Sequence, residues 1–166
     1  MNKWIYHSPM GDLIMVSNDT HLVGLWFSDQ KYVGGSLTLD SIKVQLSDIN
    51  ERVVQWLDLY FAGNKPDPRI IPVDPQVTNF RKIVLGELSN TPYGTIRTYQ
   101  SLYEGINVES NKKIGSARAV GGAVGHNPIS IIIPCHRVVG SDGSLTGYAG
   151  GLERKKRLLQ LEGVQI

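Results

Sequence analysis

IIIPCHRVVG, residues 131–140, runs from three β-branched residues into a proline, a cysteine and two basic side chains, and closes on a valine pair. Cys135 is the only cysteine in the chain. With the preceding Ile129 and Ser130, the isoleucines read as a buried strand that delivers the thiol at its end. A free cysteine is most often a small buried hydrophobe. Here His136 and Arg137 stand beside it, two potential cations that favour thiolate over thiol and that an inert cysteine has no use for. In an extended segment neighbouring side chains point opposite ways, so His136 reaches the sulfur through a water rather than directly. Such an imidazole needs a third group to fix its tautomer. Asp142, Glu153 and Glu162 are the candidate acids, and spacing does not choose among them.

Upstream, GSARAVGGAVGHNP (115–128) predicts a helix over 116–126 with Ser116 as its cap. Gly121 and Gly122 fall in its interior, where each costs about 1 kcal/mol relative to alanine. Small residues of this kind let a helix approach another surface closely, either a neighbouring helix or a nucleic-acid groove. Arg118, standing alone among alanines and glycines, favours the groove. With a short helix over 99–103 before it, across the polar loop NVESNKK (107–113), the segment reads as a helix-turn-helix.

Downstream, GSDGSLTGYAGG (140–151) lacks both the GK[ST] ending and the dinucleotide spacing of a phosphate loop. Tyr148 in its middle forms a pocket wall for a flat ligand or packs on the loop base. The last helix, LERKKRLLQLEG (152–163), brings Leu152, Leu158, Leu159 and Leu161 to one side. It leaves ERKKR as a solvated face that would touch phosphates near DNA.

The first third alternates in the two-residue period of half-buried strands: WIYHS, DLIMVS and HLVGLWFS, separated by PMG and NDT. That is an antiparallel meander. SDINERVVQWLDLYFAG then places Val53, Val54, Leu57, Tyr60 and Phe61 on one helical stripe, with Asp48 and Glu51 spaced like a capping box and Gly63 as the stop. Pro66, Pro68, Pro72 and Pro75 forbid regular structure in the next stretch, which reads as a linker. Beyond it a helix is expected over 77–88, followed by the turn TPYGT. The fold class is α+β: an N-terminal antiparallel sheet with a covering helix over 1–75, ending in the proline-rich linker, and a mainly helical C-terminal domain over 76–166.

At 166 residues with 41% hydrophobic content, the chain buries a core without staples. A lone cysteine makes no internal disulfide, and a free thiol is at home in a reducing compartment. No segment has signal-peptide or membrane-spanning character, so the expectation is a soluble cytoplasmic protein. A net charge of +2 permits a nucleic-acid partner without demanding one.

NPISIIIPCHRVVGSDGSLTGYAGG, with ARAVGGA before it and LLQLEG after it, closely resembles the O6-alkylguanine-DNA alkyltransferases, also called methylated-DNA-protein-cysteine methyltransferases. The resemblance is strong over 80–163, and in layout alone before that. It implies a ribonuclease H-like N-terminal domain and a DNA-binding, alkyl-transferring C-terminal one. It further implies DNA repair by a single-turnover transfer of an alkyl group from O6 of guanine to Cys135, with nucleotide flipping. His136 would deprotonate the thiol through a water, Glu162 would orient His136, and Tyr99 would donate a proton toward the leaving guanine. Arg118 would fill the space left by the flipped nucleotide, on a helix face whose small residues include Ala117, Ala119 and Gly121. Asn127 would tie that helix to the active-site turn. Backbone carbonyls of Cys135 and Val138 would read the base, Tyr148 would stack over the alkyl group, and Ala149, where some members carry serine, would offer only its backbone N–H to O6. The implied partner is double-stranded DNA containing O6-alkylguanine, bound by a monomer, with no cofactor, metal or membrane. The stretch between Tyr99 and Arg118 is longer than the family pattern. A lesion-binding relative without transfer, or a cysteine hydrolase using His126 or His21, are the alternative readings.

Overall fold

In the computed structural model of this chain, which describes residues 1–108 and 111–166, the opening alternation becomes β1 (Asn2–Ser8), β2 (Gly11–Ser17) and β3 (Leu22–Phe27). They pair as the expected antiparallel meander, Trp4 opposite Met15 and Met15 opposite Leu25. A short β4 (Lys43–Val44) then adds parallel to β1, so the sheet is mixed, in the order β3-β2-β1-β4. The covering helix α1 (Asp48–Phe61) packs on β1 and β2. Its cap is Ser47 rather than Asp48: the serine hydroxyl accepts the Asn50 N–H at 3.1 Å, which leaves Asp48 and Glu51 in the first turn, where the helix dipole favours anions. Ile49, Val53, Trp56, Leu57 and Tyr60 form the buried stripe, and Val54 and Phe61 lie at its half-buried margin. Trp56, absent from the expected stripe, stacks on Tyr60 with ring centroids 5.4 Å apart.

The proline-rich stretch is not a free tether. Leu22 N–H donates to Pro72 O and Asp74 N–H to Leu22 O, both at 2.8 Å, and the Trp56 indole donates to Asp67 O. Pro72 has no N–H to donate but still offers its carbonyl, which pairs with Leu22 at the start of β3. These elements form one compact unit, Met1–Gln76, which also includes Pro128–Ser130.

The second unit comprises Val77–Asn127 and Ile131–Ile166. It contains α2 (Asn79–Leu88), β5 (Arg97–Thr98), α3 (Tyr99–Ile106), α4 (Ala117–Gly125), β6 (Val138–Val139) and α5 (Leu152–Leu161). Thr78, Thr98 and Ser116 each cap the helix that follows, their hydroxyls accepting an N–H three residues on. Helices α2, α3 and α4 pack on one another. Val120, Ala123 and Val124 are the buried face of α4; a Cβ on Gly121 would meet the Tyr99 ring at 3.8 Å, an ordinary contact, and one on Gly122 would meet nothing within 4 Å, so helix packing does not require these glycines. Of the polar loop 107–113, Glu109 and Ser110 lie outside the described residues.

Two expectations fail in the C-terminal half of the chain. ISIII is not a strand: only Ile129 makes a bridge, residues 130–132 turn, and Ile131 sits at φ 70°. The run's apolar content reflects burial, with Ile129, Ile131, Ile132 and Ile133 all inside, whereas Pro128 and Pro134 bend its ends. A β-branched residue in the left-handed region is strained by about 1–3 kcal/mol, and burial of its side chain holds it there. On α5, Leu152 is 49% exposed while Lys155 is fully buried beside Leu158 and Leu159. No helix among the described residues is long and apolar enough to cross a membrane.

Candidate active site

A two-residue parallel ladder assembles the site. Arg97 pairs with Val138 and Thr98 with Val139. β5 runs forward into Tyr99, the first residue of α3, and β6 runs back into a 3-10 turn over Cys135–Arg137. The cysteine therefore lies on a tight turn rather than on the extended segment expected, with the Arg137 N–H closing onto Pro134 O at 3.0 Å.

Beneath that turn is a buried ionic cluster. The Glu162 carboxylate, at the C-cap of α5, lies 2.6 Å from His136 Nε2. It also accepts from Arg137 Nε at 2.7 Å, from Arg137 Nη2 at 3.0 Å and from the Gly94 N–H at 3.1 Å. Burial pushes this carboxyl up, but the hydrogen bonds and charges of His136 and Arg137 outweigh it and hold Glu162 well below the usual carboxylate range. Burial keeps the His136 imidazole below its ordinary value against the pull of Glu162, so at neutral pH it is uncharged. Nε2–H then donates to Glu162 and Nδ1 carries a lone pair. That Nδ1 is buried and has no hydrogen-bond partner among the described residues. Of the three candidate acids, the structure brings Glu162 to His136. Asp142 instead accepts the Ser144 N–H within its own loop, and Glu153 is exposed in the first turn of α5.

The turn TPYGT supports this cluster, a role its sequence did not reveal. Arg137 Nη1 donates to Thr91 O at 2.7 Å, its guanidinium lies 5.8 Å from the Tyr93 ring centroid, and Tyr93 Oη donates to Leu161 O. Gly94 has φ 75°, and a Cβ there would stand 3.0 Å from Glu162 O, so the turn accepts no side chain.

Cys135 is 6% exposed, and burial pushes its thiol up. A hydrogen bond from the Asn127 carboxamide, the Lys155 ammonium and the backbone N–H groups of the turn pull it back. The expected cations are thus displaced: Arg137 is committed to Glu162, His136 is neutral, and the cation acting on the sulfur is Lys155. Its Nζ donates to Thr146 O at 2.6 Å and Gly147 O at 3.2 Å, anchoring the loop that carries Tyr148 and Ala149, both half-buried. Burial brings the ammonium down to about 8. In the sequence Lys155 is hidden within ERKKR. Only its position one turn before Leu158 and Leu159 could have marked it.

Asn127, just past α4, donates Nδ2–H to Ile133 O at 2.9 Å and reaches the Cys135 sulfur, so it joins the end of that helix to the cysteine turn. Val138 is fully buried in β6. Arg118 and Ala119 are exposed in the first turn of α4, with Ala117 half-buried beside them. His126 Nδ1 is engaged with Gly122 O at 2.8 Å and His21 Nδ1 with Thr20 Oγ1 at 2.7 Å. Among the described residues, no group of three histidine, cysteine or carboxylate side chains could hold a metal ion.

Residues 1–75 match the family model for the ribonuclease-like domain of 6-O-methylguanine DNA methyltransferase, and residues 79–164 match the model for its DNA binding domain. A methylated-DNA–protein-cysteine methyltransferase of Haemophilus influenzae is 38% identical, over 96% of this chain and 84% of its own. One from Methanosarcina barkeri is likewise 38% identical, over 95% of this chain and 94% of its own. The crystal structure of Mycobacterium tuberculosis OGT in complex with DNA superposes with a TM-score of 0.82 at 35% identity, covering 98% of this chain and 92% of that one.

Proposed function

Because the chain belongs to the 6-O-methylguanine DNA methyltransferase family, which repairs DNA by direct alkyl transfer, we propose that Cys135 is the acceptor and O6-alkylguanine in double-stranded DNA the substrate. The observation that carries this is the buried His136–Glu162 pair: the 2.6 Å contact at Nε2 leaves a buried Nδ1 without a protein partner one residue from the thiol. Nδ1 makes no hydrogen bond to the sulfur, so the proton crosses through a bridging water. The thiolate then attacks the alkyl carbon, the S–C bond forms as the C–O6 bond breaks, and the departing guanine takes a proton from Tyr99. Arg137 keeps Glu162 ionised, so that the imidazolium formed during transfer is stabilised at once.

A paired base is out of reach of a thiol buried on a turn, so the nucleotide is flipped out. Arg118, exposed on a helix whose small residues permit close approach, fills the space it leaves. The Tyr148–Ala149 segment, clamped by Lys155, closes over the alkyl group, and the carbonyls of Cys135 and Val138 read the base. One chain carries every group required, so the protein works as a monomer. Its single reactive thiol suits the reducing cytoplasm.

The thioether product has no good leaving group, and the chain holds no second cysteine to exchange with it. With methylated duplex in excess, repair therefore stops at one lesion per chain. Continued turnover would point to a hydrolase instead, in which water releases an acyl-enzyme.

A further inference from the structure

The connection between α3 and α4, longer than the family pattern that the sequence resembles, lies directly before the arginine-bearing helix. Its base is closed by one side chain. Asn107 is 7% exposed and is the C-cap residue of α3. Its Nδ2 donates to Tyr103 O at 2.9 Å and to Ile114 O at 3.2 Å, and its Oδ1 accepts the Ile114 N–H at 2.7 Å. The amide's two hydrogens are both used. One satisfies a last-turn carbonyl of α3 that the helix leaves unpaired. The other, with the carbonyl oxygen, pairs both backbone groups of Ile114, as a neighbouring strand would.

The next two residues continue the anchoring. Gly115 has φ 68°, and a Cβ there would stand 2.5 Å from the Phe80 ring of α2, so the chain passes against α2 only because it is glycine. Ser116 then caps α4 through the Ala119 N–H at 3.0 Å, and Arg118 follows in the first helical turn. The α4 N-terminus is thereby located by Asn107, Phe80 and Ser116, whatever the number of residues between 107 and 114.

We propose that Asn107 is a positioning residue for the arginine-bearing helix: its carboxamide joins the end of α3 to Ile114, so that the start of α4 is set by this joint rather than by the number of residues between 107 and 114. The inference rests on the reading that Arg118 acts on duplex DNA. Closing a loop becomes only slowly harder as it lengthens, so a joint of this kind tolerates added length without moving the helices it holds. Once the clasp is cut, Ile114 is no longer held to the end of α3 and α4 is free to shift against Tyr99.

The test uses four proteins: the wild type, Asn107→Ala, an excision variant in which two glycines replace residues 108–113, and the combination of the two. Each is given saturating O6-methylguanine duplex and, separately, the same lesion in a single-stranded oligonucleotide, where no partner base must be displaced. Saturation removes from the rate any phosphate contact that the exposed Lys112 and Lys113 supply. Loss of a buried amide's bonds predicts that Asn107→Ala slows transfer from duplex about tenfold and from single strand by no more than about twofold. The excision variant should match the wild type within about threefold, and in the combination the duplex rate should return to that level, because a clasp with nothing to close is dispensable. Equal losses on both substrates, no loss at all, or no rescue by excision would overturn the inference. A wild type that repairs neither substrate would instead remove the functional reading on which it rests.

Discussion

Where the first unit buries Leu13, Met15, Leu22, Leu25 and Phe27, the second buries His136, Arg137, Lys155 and Glu162. The buried polar residues of the first unit are Ser17, Gln30, Asn50 and Ser130, none of which titrates. A charge taken out of water is expensive unless it is paired, and a chain that only had to fold would fill the same space with apolar side chains. On the proposed function the ionic cluster serves chemistry rather than folding, so the two units should fail in different ways when cut.

The largest separation of chemistry from stability comes from Cys135→Ala. It should abolish transfer, keep lesion binding and leave Tm within a few degrees, because the thiol packs as a small hydrophobe. Kinetics and a thermal melt check it, and residual demethylation would place the chemistry elsewhere.

Next come two buried truncations of similar thermodynamic size. Leu25→Ala should destabilise by about 2–5 kcal/mol, with each molecule that remains folded reacting normally. Glu162→Gln leaves Arg137 buried without its counter-ion, so it should cost about 3–5 kcal/mol and also slow transfer. In the proposed relay His136 and Glu162 act as a unit, so a double variant should lose little more rate than the worse single one. Denaturant titration and single-turnover rates separate the two cases. Additive losses would break the relay.

Acid sharpens the contrast without mutation. The Glu162 carboxyl is held below its unfolded value, so its contribution is present above about pH 4.3 and is lost as pH falls. His136 is also depressed, so below about pH 6.5 the unfolded chain takes up a proton that the folded one refuses, again favouring unfolding. Hydrogen exchange followed from neutral pH into acid should show amides of the second unit losing protection first.

The smallest effect is expected at Lys155. Lys155→Met removes the cation that pulls the thiol down and frees the loop at Thr146 and Gly147, so transfer should slow about tenfold. The rising limb of its pH profile should also move to higher pH. An unmoved profile would confine Lys155 to holding the loop.

What the sequence disclosed follows the same division. Leu13, Met15 and Leu25 stand in a two-residue rhythm and Val53, Leu57 and Tyr60 in a helical one, so burial on a face was readable. The cysteine turn was visible through PCHRV, but the acid serving His136 came from resemblance, since no spacing distinguishes Glu162 from Asp142 or Glu153. Arg137 and Lys155 were misread, and the supporting role of the TPYGT turn went unseen, because their partners are backbone carbonyls, or a carboxylate far along the chain. Gly94 and Glu162 are 68 residues apart, a contact with no periodic signature. The isoleucine run misled in the opposite sense. Its composition is that of a strand, yet Ile131 occupies a left-handed turn that composition cannot signal.

The most direct test is the intact mass of the protein before and after exposure to a duplex carrying O6-methylguanine, with the modified residue located by peptide mapping. The account predicts one methyl group per chain, on the peptide containing Cys135, with unmodified guanine left in the DNA. Repaired DNA with an unmodified Cys135, or a methyl group on any other residue, would contradict it.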